Sequence, residues 1–261
     1  MGRVAQGSSD RVRRAARWVR PSPGRGRPAS RVPWDWTDIV VFLLVFYLVG
    51  TSLVDTVASS AALHSFGRQV LGGLPGPERA AVDSLTQTVA VYAVWLAGVL
   101  LLALGRRQAR MRDLGWRMPR PYWVPLAIAA AVAALAILTG ILDGIHLLFP
   151  HATNGQVPEV QREYRTYVGI AIPAVSVVAP VVEETFFRGF VYGWMRRRLN
   201  VPTAAVLSGC FFALLHFQAV IFLPLAVLGV GLALLYEYSG SLLPGMIVHG
   251  LFNLVEIFFI V

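Results

Sequence analysis

Long apolar runs broken by short arginine-rich segments dominate this chain. Runs at 39–57, 85–104, 122–142 and 167–187 each reach the roughly 20 residues that a helix needs to cross a bilayer at 1.5 Å per residue. The apolar stretch at 202–236 is too long for one span, and His216, Gln218 and Pro224 in its middle predict a hairpin of a fifth and a sixth helix. A last run at 242–260 completes the set. The expected fold class is therefore all-α, a polytopic transmembrane helix bundle of about seven spans, within a range of about six to eight. Trp34 and Trp36 stand before the first run in the position of interfacial anchors. A polar loop at 143–165, containing His146 and His151, separates the third and fourth spans.

Composition agrees with lipid as the solvent. Of 261 residues, 56% are hydrophobic and 14% charged, against about 25% charged in soluble domains; the mean hydropathy is +0.61. Two regions follow: a basic tail at 1–35 and one membrane domain at 36–261. The tail, rich in Pro, Gly and Ser around 20–31, is expected to be disordered and to lie on anionic lipid. It does not read as a cleaved signal peptide: its basic region is too long and no small-residue cleavage site follows. Cys210 is the single cysteine, so no internal disulfide forms, and it reads as a small buried apolar residue.

The net charge of +9 changes the picture through its position. Every basic residue is Arg: nine in 1–31, six in 106–120, and four in Arg188 with Arg196, Arg197 and Arg198. Clusters beside membrane spans follow the positive-inside bias and argue against nucleic acid as a partner. With the N-terminus cytoplasmic, 19 of the 23 Arg lie inside and Arg68, Arg79, Arg162 and Arg165 lie outside. The reverse orientation inverts the bias.

Ionisable side chains inside spans cost about 2.5–3.5 kcal/mol each on insertion scales, so each is a candidate for function. Glu183 and Glu184 close the fourth run, His216 lies in the fifth, and His249 and Asn253 lie in the last. Glu184 and Arg188 are four apart, on one helix face where they can pair. Glu183 points about 100° away, without that partner. His249 and Asn253 are also four apart. Three helices thus offer a carboxylate, an imidazole, and an imidazole plus an amide. Such a set can bind a divalent ion and hold a water for a carboxylate to deprotonate. No Ser or Cys stands in a nucleophile motif, so no covalent intermediate is expected.

The run Glu183-Glu184-x-x-x-Arg188, then Phe212-x-x-x-His216, then His249-x-x-x-Asn253 resembles the three motifs of the CAAX-protease and bacteriocin-processing family of intramembrane metalloproteases. The resemblance covers about 167–258. It implies an intramembrane endopeptidase in which Glu183 and His216 activate the attacking water. His249 and Asn253 would stabilise the oxyanion or help hold a metal, and Glu184 would pair with Arg188 to fix the helix end. The implied cofactor is a divalent metal, zinc, with Glu183, His216 and His249 as ligands. The implied partners are membrane lipid and a peptide or lipidated protein substrate, with CAAX-type C-terminal processing as one form of the reaction. The implied location is a bacterial inner or plasma membrane, with the site reached from the cytoplasmic side or laterally from lipid.

Two other readings stay open: a non-catalytic immunity or scaffold protein that retains the motif, and a proton-coupled transporter. Glu183 can be read as a second structural carboxylate, and His249 with Asn253 as hydrogen-bond glue between helices. Glu256 and Gly189-x-x-x-Gly193 are assigned no chemistry, the glycines reading as close packing or loop. One conflict stands. If the fourth helix ends at about 187, Glu183 lies near the cytoplasmic end while His216 rises roughly 21 Å past Pro202. For the two to meet, the fifth helix must start below the bilayer or 189–201 must fold back.

Overall fold

The computed structural model describes residues 32–60, 69, 72, 73, 75–151 and 168–259. The basic tail before 32, Arg68, Arg162 and Arg165 lie outside these residues, and with them most of the expected outer loop. Besides a 3-10 turn at Met111–Leu114, the described residues form seven helices: α1 (Trp36–Ala58), α2 (Gly76–Leu100, continuing to Arg106), α3 (Trp123–Leu148), α4 (168–195), α5 (Val201–Leu214), α6 (Phe222–Ser239) and α7 (Leu243–Phe259). No strand occurs among the described residues. Four of the helices (α1, α2, α3 and α6) are long and apolar enough to cross a membrane. The all-α expectation holds and the protein is an integral membrane protein.

Local chemistry sets the helix ends. Asp35 caps α1 by accepting from the Thr37 amide at 2.8 Å, while Asp38 accepts from the Asp35 amide at 2.9 Å. Asn200 caps α5 by accepting from the Thr203 amide, with Pro202 in the first turn. Gly240 ends α6 in the left-handed conformation, at φ 70°.

Three expectations are corrected. Trp34 is no interfacial anchor: it is fully buried, stacks on Phe190 at 5.2 Å, and donates its indole N–H to the Phe190 carbonyl. A buried indole needs such an acceptor. α3 runs on to Leu148, so Asp143 and His146 lie in its last turns rather than in the loop. Most consequentially, α4 does not end near 187. Arg188 lies inside it with no exposure, because Glu184 one turn earlier neutralises it. Pro173 and Pro180 remove backbone donors from α4, and it accommodates them with wide, π-type turns at Ala174–Val178 and Thr185–Tyr192.

This longer α4 removes the depth conflict. Glu183 lies roughly 18 Å above the Met195 end, and His216 lies roughly 22 Å above the Val201 start of α5, which a short turn connects to it. Neither a sunken α5 nor a re-entrant 189–201 is needed. α5 and α6 form the expected hairpin, crossing where Gly209 and Gly229 let their backbones touch: a Cβ on Gly229 would stand 2.7 Å from the Gly209 Cα. Gly189 is likewise a close contact, against the Leu114 carbonyl.

Salt bridges and hydrogen bonds gather five helix ends at one end of the bundle. Arg106 and Arg107 hold the buried Asp38 at 2.9 and 2.8 Å, and Arg107 also holds Asp35, joining the start of α1 to the end of α2. Arg197 donates to the Val32 carbonyl, Arg196 pairs with Glu237 at 3.0 Å, and the Leu242 amide donates to the Gly115 carbonyl. The ends of α4 and α6 and the start of α7 are thereby bound to the same arginine-rich end.

Candidate active site

Glu183 and Glu184 sit in the middle of α4, and α7 closes on them because two glycines allow it. A Cβ on Gly245 would stand 2.8 Å from Glu184 Oε2, and one on Gly250 would strike the Ser176 carbonyl. A side chain at Gly250 would force α7 off the α4 backbone, and one at Gly245 would have to displace the Glu184 carboxylate.

That approach places His249, buried at 3% exposure, between the two carboxylates. Its Nδ1 stands 3.1 Å from Glu184 Oε1 and its Nε2 3.7 Å from Glu183 Oε2. Glu184 Oε1 also accepts from Arg188 Nη1 at 2.8 Å. Arg188 is held further by the Gly229 carbonyl at 3.3 Å and by the Phe212 ring, 4.7 Å from its guanidinium carbon. Glu184 Oε1, already accepting from Arg188, faces His249 Nδ1 as an acceptor faces a donor; in the neutral ring with Nδ1–H, Nε2 is the lone-pair nitrogen and is turned toward Glu183.

Glu183 has a different neighbour. Its Oε1 accepts from the Tyr92 hydroxyl on α2 at 2.6 Å. Among the described residues its Oε2, buried, has no hydrogen-bond partner, and neither has Glu184 Oε2. Unpartnered buried carboxylate oxygens are costly in a purely structural cluster, since each lost partner costs about 1–3 kcal/mol.

The remaining expected residues stand further off. His216 lies on the turn after α5, not on the helix, and its Nδ1 bonds the Phe212 carbonyl at 2.8 Å. A carbonyl only accepts, so Nδ1 carries a proton and Nε2 is the nitrogen left free of that bond. The Phe212 ring lies between the two histidines, 4.7 Å from His216 and 5.6 Å from His249. Asn253 donates its amide to the Val175 carbonyl at 2.9 Å, tying α7 to a π-type turn of α4. Glu183, Glu184, Arg188 and His249 are thus brought together; His216 and Asn253 flank them.

Among the described residues no three His, Cys, Asp or Glu side chains gather as a metal-ligand set. Glu183 Oε2 and His249 Nε2 face one another as two donors, and His216 does not join them as a third.

Residues 166–255 match the Rce1-like family, type II CAAX prenyl endopeptidases. The matched stretch contains α4 to α6, α7 as far as Val255, and every motif residue named above. No curated protein and no solved structure matches the chain. The Rce1-like family is a protease family, which supports an enzyme acting on a peptide or protein in a membrane setting. Tyr92 lies outside the Rce1-like segment and outside the sequence reading. Its available signal was the stripe Ser84, Gln87, Thr88, Tyr92, polar at helical spacing in an otherwise apolar span.

Proposed function

We propose that this protein is an intramembrane endopeptidase that hydrolyses a peptide bond of a membrane-associated protein or peptide by activated water. The observation that carries the reading is the pair Glu183 Oε2 and His249 Nε2, two acceptors 3.7 Å apart and buried. A water at ordinary hydrogen-bond lengths, about 2.8 Å to each, fits over that span and donates one proton to each acceptor.

In the reaction, Glu183 takes a proton from this water as the oxygen attacks the scissile carbonyl, and the proton is then passed to the amide nitrogen as the C–N bond breaks and the amine leaves. Tyr92 holds the other carboxylate oxygen, which fixes the direction of the basic lone pair. Glu184, pinned by Arg188, holds the His249 ring so that Nε2 stays toward the water. His216, on the far side of the Phe212 ring, belongs with Glu183 in this scheme as the second group that moves the proton, through Nε2. Asn253, donating to the Val175 carbonyl, holds α7 against α4 and so keeps His249 in place. A zinc ion would take Glu183 Oε2 and His249 Nε2 first and would supply Lewis acidity there. The donors stop at two, and no step above depends on it. The N-terminus and the arginine-rich end belong on the cytoplasmic side by the positive-inside bias.

The test is a comparison of the peptides in host membranes carrying wild type or Glu183→Gln at equal protein levels. Peptides or new C-termini found only with wild type are expected. Identical peptide profiles, where deletion has a phenotype, would leave the immunity or scaffold reading in its place.

A further inference from the structure

A cleft of about 330 Å³ opens between α1 and α2, lined by Asp55, Ser84, Gln87, Thr88, Tyr92 and Trp95 with Val91. Its volume lies within the roughly 300–1,000 Å³ of ligand pockets. The α2 residues recur at three and four positions, so the lining is one face of that helix. A stripe of hydroxyl and amide groups on a membrane helix is unfavourable against lipid and is kept where it faces protein or water.

The cleft has two ends. Asp55, exposed, lies about 28 Å along α1 from Trp36, toward the end opposite the arginine clusters. There its Oδ1 accepts from Gln87 Nε2 at 2.7 Å. Tyr92 forms the inner end, and its hydroxyl is the group bonded to Glu183 Oε1. Trp95 is fixed beside it by donating to Thr51 Oγ1 at 3.2 Å. A polar stripe therefore runs from the end away from the arginines as far as Tyr92, whose hydroxyl separates the cleft from the carboxylate of the site. Both helices lie outside the Rce1-like segment.

We propose that this cleft is the substrate subsite, receiving an extended, unlipidated peptide segment from the end opposite the arginine clusters and delivering it past Tyr92 to Glu183. The inference rests on the endopeptidase reading above. An extended peptide exposes N–H and C=O groups along its length. The Asp55 carboxylate, the Gln87 amide and the hydroxyls of Ser84 and Thr88 are the acceptors and donors that satisfy them. A prenyl chain would have no use for such a wall.

The test uses the full chain with Cys210→Ala, to which Thr88→Cys or Ser84→Cys is added; Ile128→Cys, on the exposed face of α3, serves as control. A charged, membrane-impermeant thiosulfonate is added to sealed vesicles of each orientation. Release of the wild-type-specific peptides is then measured with and without label. Both cleft cysteines are expected to react only from the face opposite the arginine-rich end. Labelling should cut peptide release at least about tenfold, the equivalent of about 1.4 kcal/mol in binding, and a reductant should restore it. The control should change nothing. A labelled cleft with undiminished release, or no labelling from either face, overturns the proposal. A wild type that releases no peptides fails before any label is added, and that failure belongs to the endopeptidase reading.

Discussion

Glu184 holds His249 by one ring nitrogen, Nδ1 at 3.1 Å, and so commits the other to Glu183. The same Glu184 oxygen carries Arg188, which is completely buried. Removing one partner of a buried pair strands the other charge, at about 3–5 kcal/mol. Glu184→Gln and Arg188→Met are each expected to destabilise the protein on that scale in detergent unfolding. The double variant should recover a good part of the loss. Additive losses would show that the two do not act as a pair.

Gly250 tests the packing that brings α7 to α4. A methyl group there meets the Ser176 backbone, which cannot move aside as a flexible side chain could. Gly250→Ala should push His249 away from Glu183, and a displacement of about 1 Å can cost on the order of a hundredfold in rate. Gly144→Ala in α3, where a Cβ meets nothing within 4 Å, is the matched control and should be neutral. Peptide release from both variants, at equal membrane levels, decides the matter.

Much of this site was legible because polar residues at four-residue spacing are conspicuous in apolar runs. Glu184 with Arg188, and His249 on the last helix, were placed correctly by spacing alone. What spacing could not show was where α4 ends. An arginine after an apolar run reads as the start of a loop, and only the pairing with Glu184 allows it to remain inside. From that single residue came the apparent depth conflict between Glu183 and His216. Trp34 was misplaced for a related reason, since an indole near a span end suits either an interface or a buried acceptor. Tyr92 escaped notice because an aromatic in a span looks like packing until its hydroxyl has a partner.

The belt of charges at the arginine-rich end makes a prediction about pH. The Thr37 hydroxyl, then its amide, and the Arg107 guanidinium hold the Asp35 carboxyl below its ordinary 3.8, at about 2. A folded value below the unfolded one means that ionised Asp35 stabilises the fold at higher pH. The contribution is complete above the ordinary value and is lost as the pH falls through about 2. Asp35→Asn should therefore lower the unfolding temperature at neutral pH, and the gap to wild type should close as the pH approaches that lower value. A gap that stays constant with pH would remove Asp35 as an ionic tie between α1 and α2.

The proposed zinc can be tested through its ligands without first knowing the substrate. Catalytic zinc sites generally use three protein ligands and keep a position for water. Here Glu183 Oε2 and His249 Nε2 are the two donors that face each other, with His216 apart on its turn. The zinc proposal predicts that elemental analysis of the purified protein shows bound zinc falling with His249→Ala, together with peptide release. His216→Ala separates two roles. A loss of both zinc and activity would bring His216 into the ligand set, whereas a loss of activity alone would leave it as a proton-transfer group. Wild type that purifies without zinc and works at full rate would leave Glu183, held by Tyr92, as the group that activates the water.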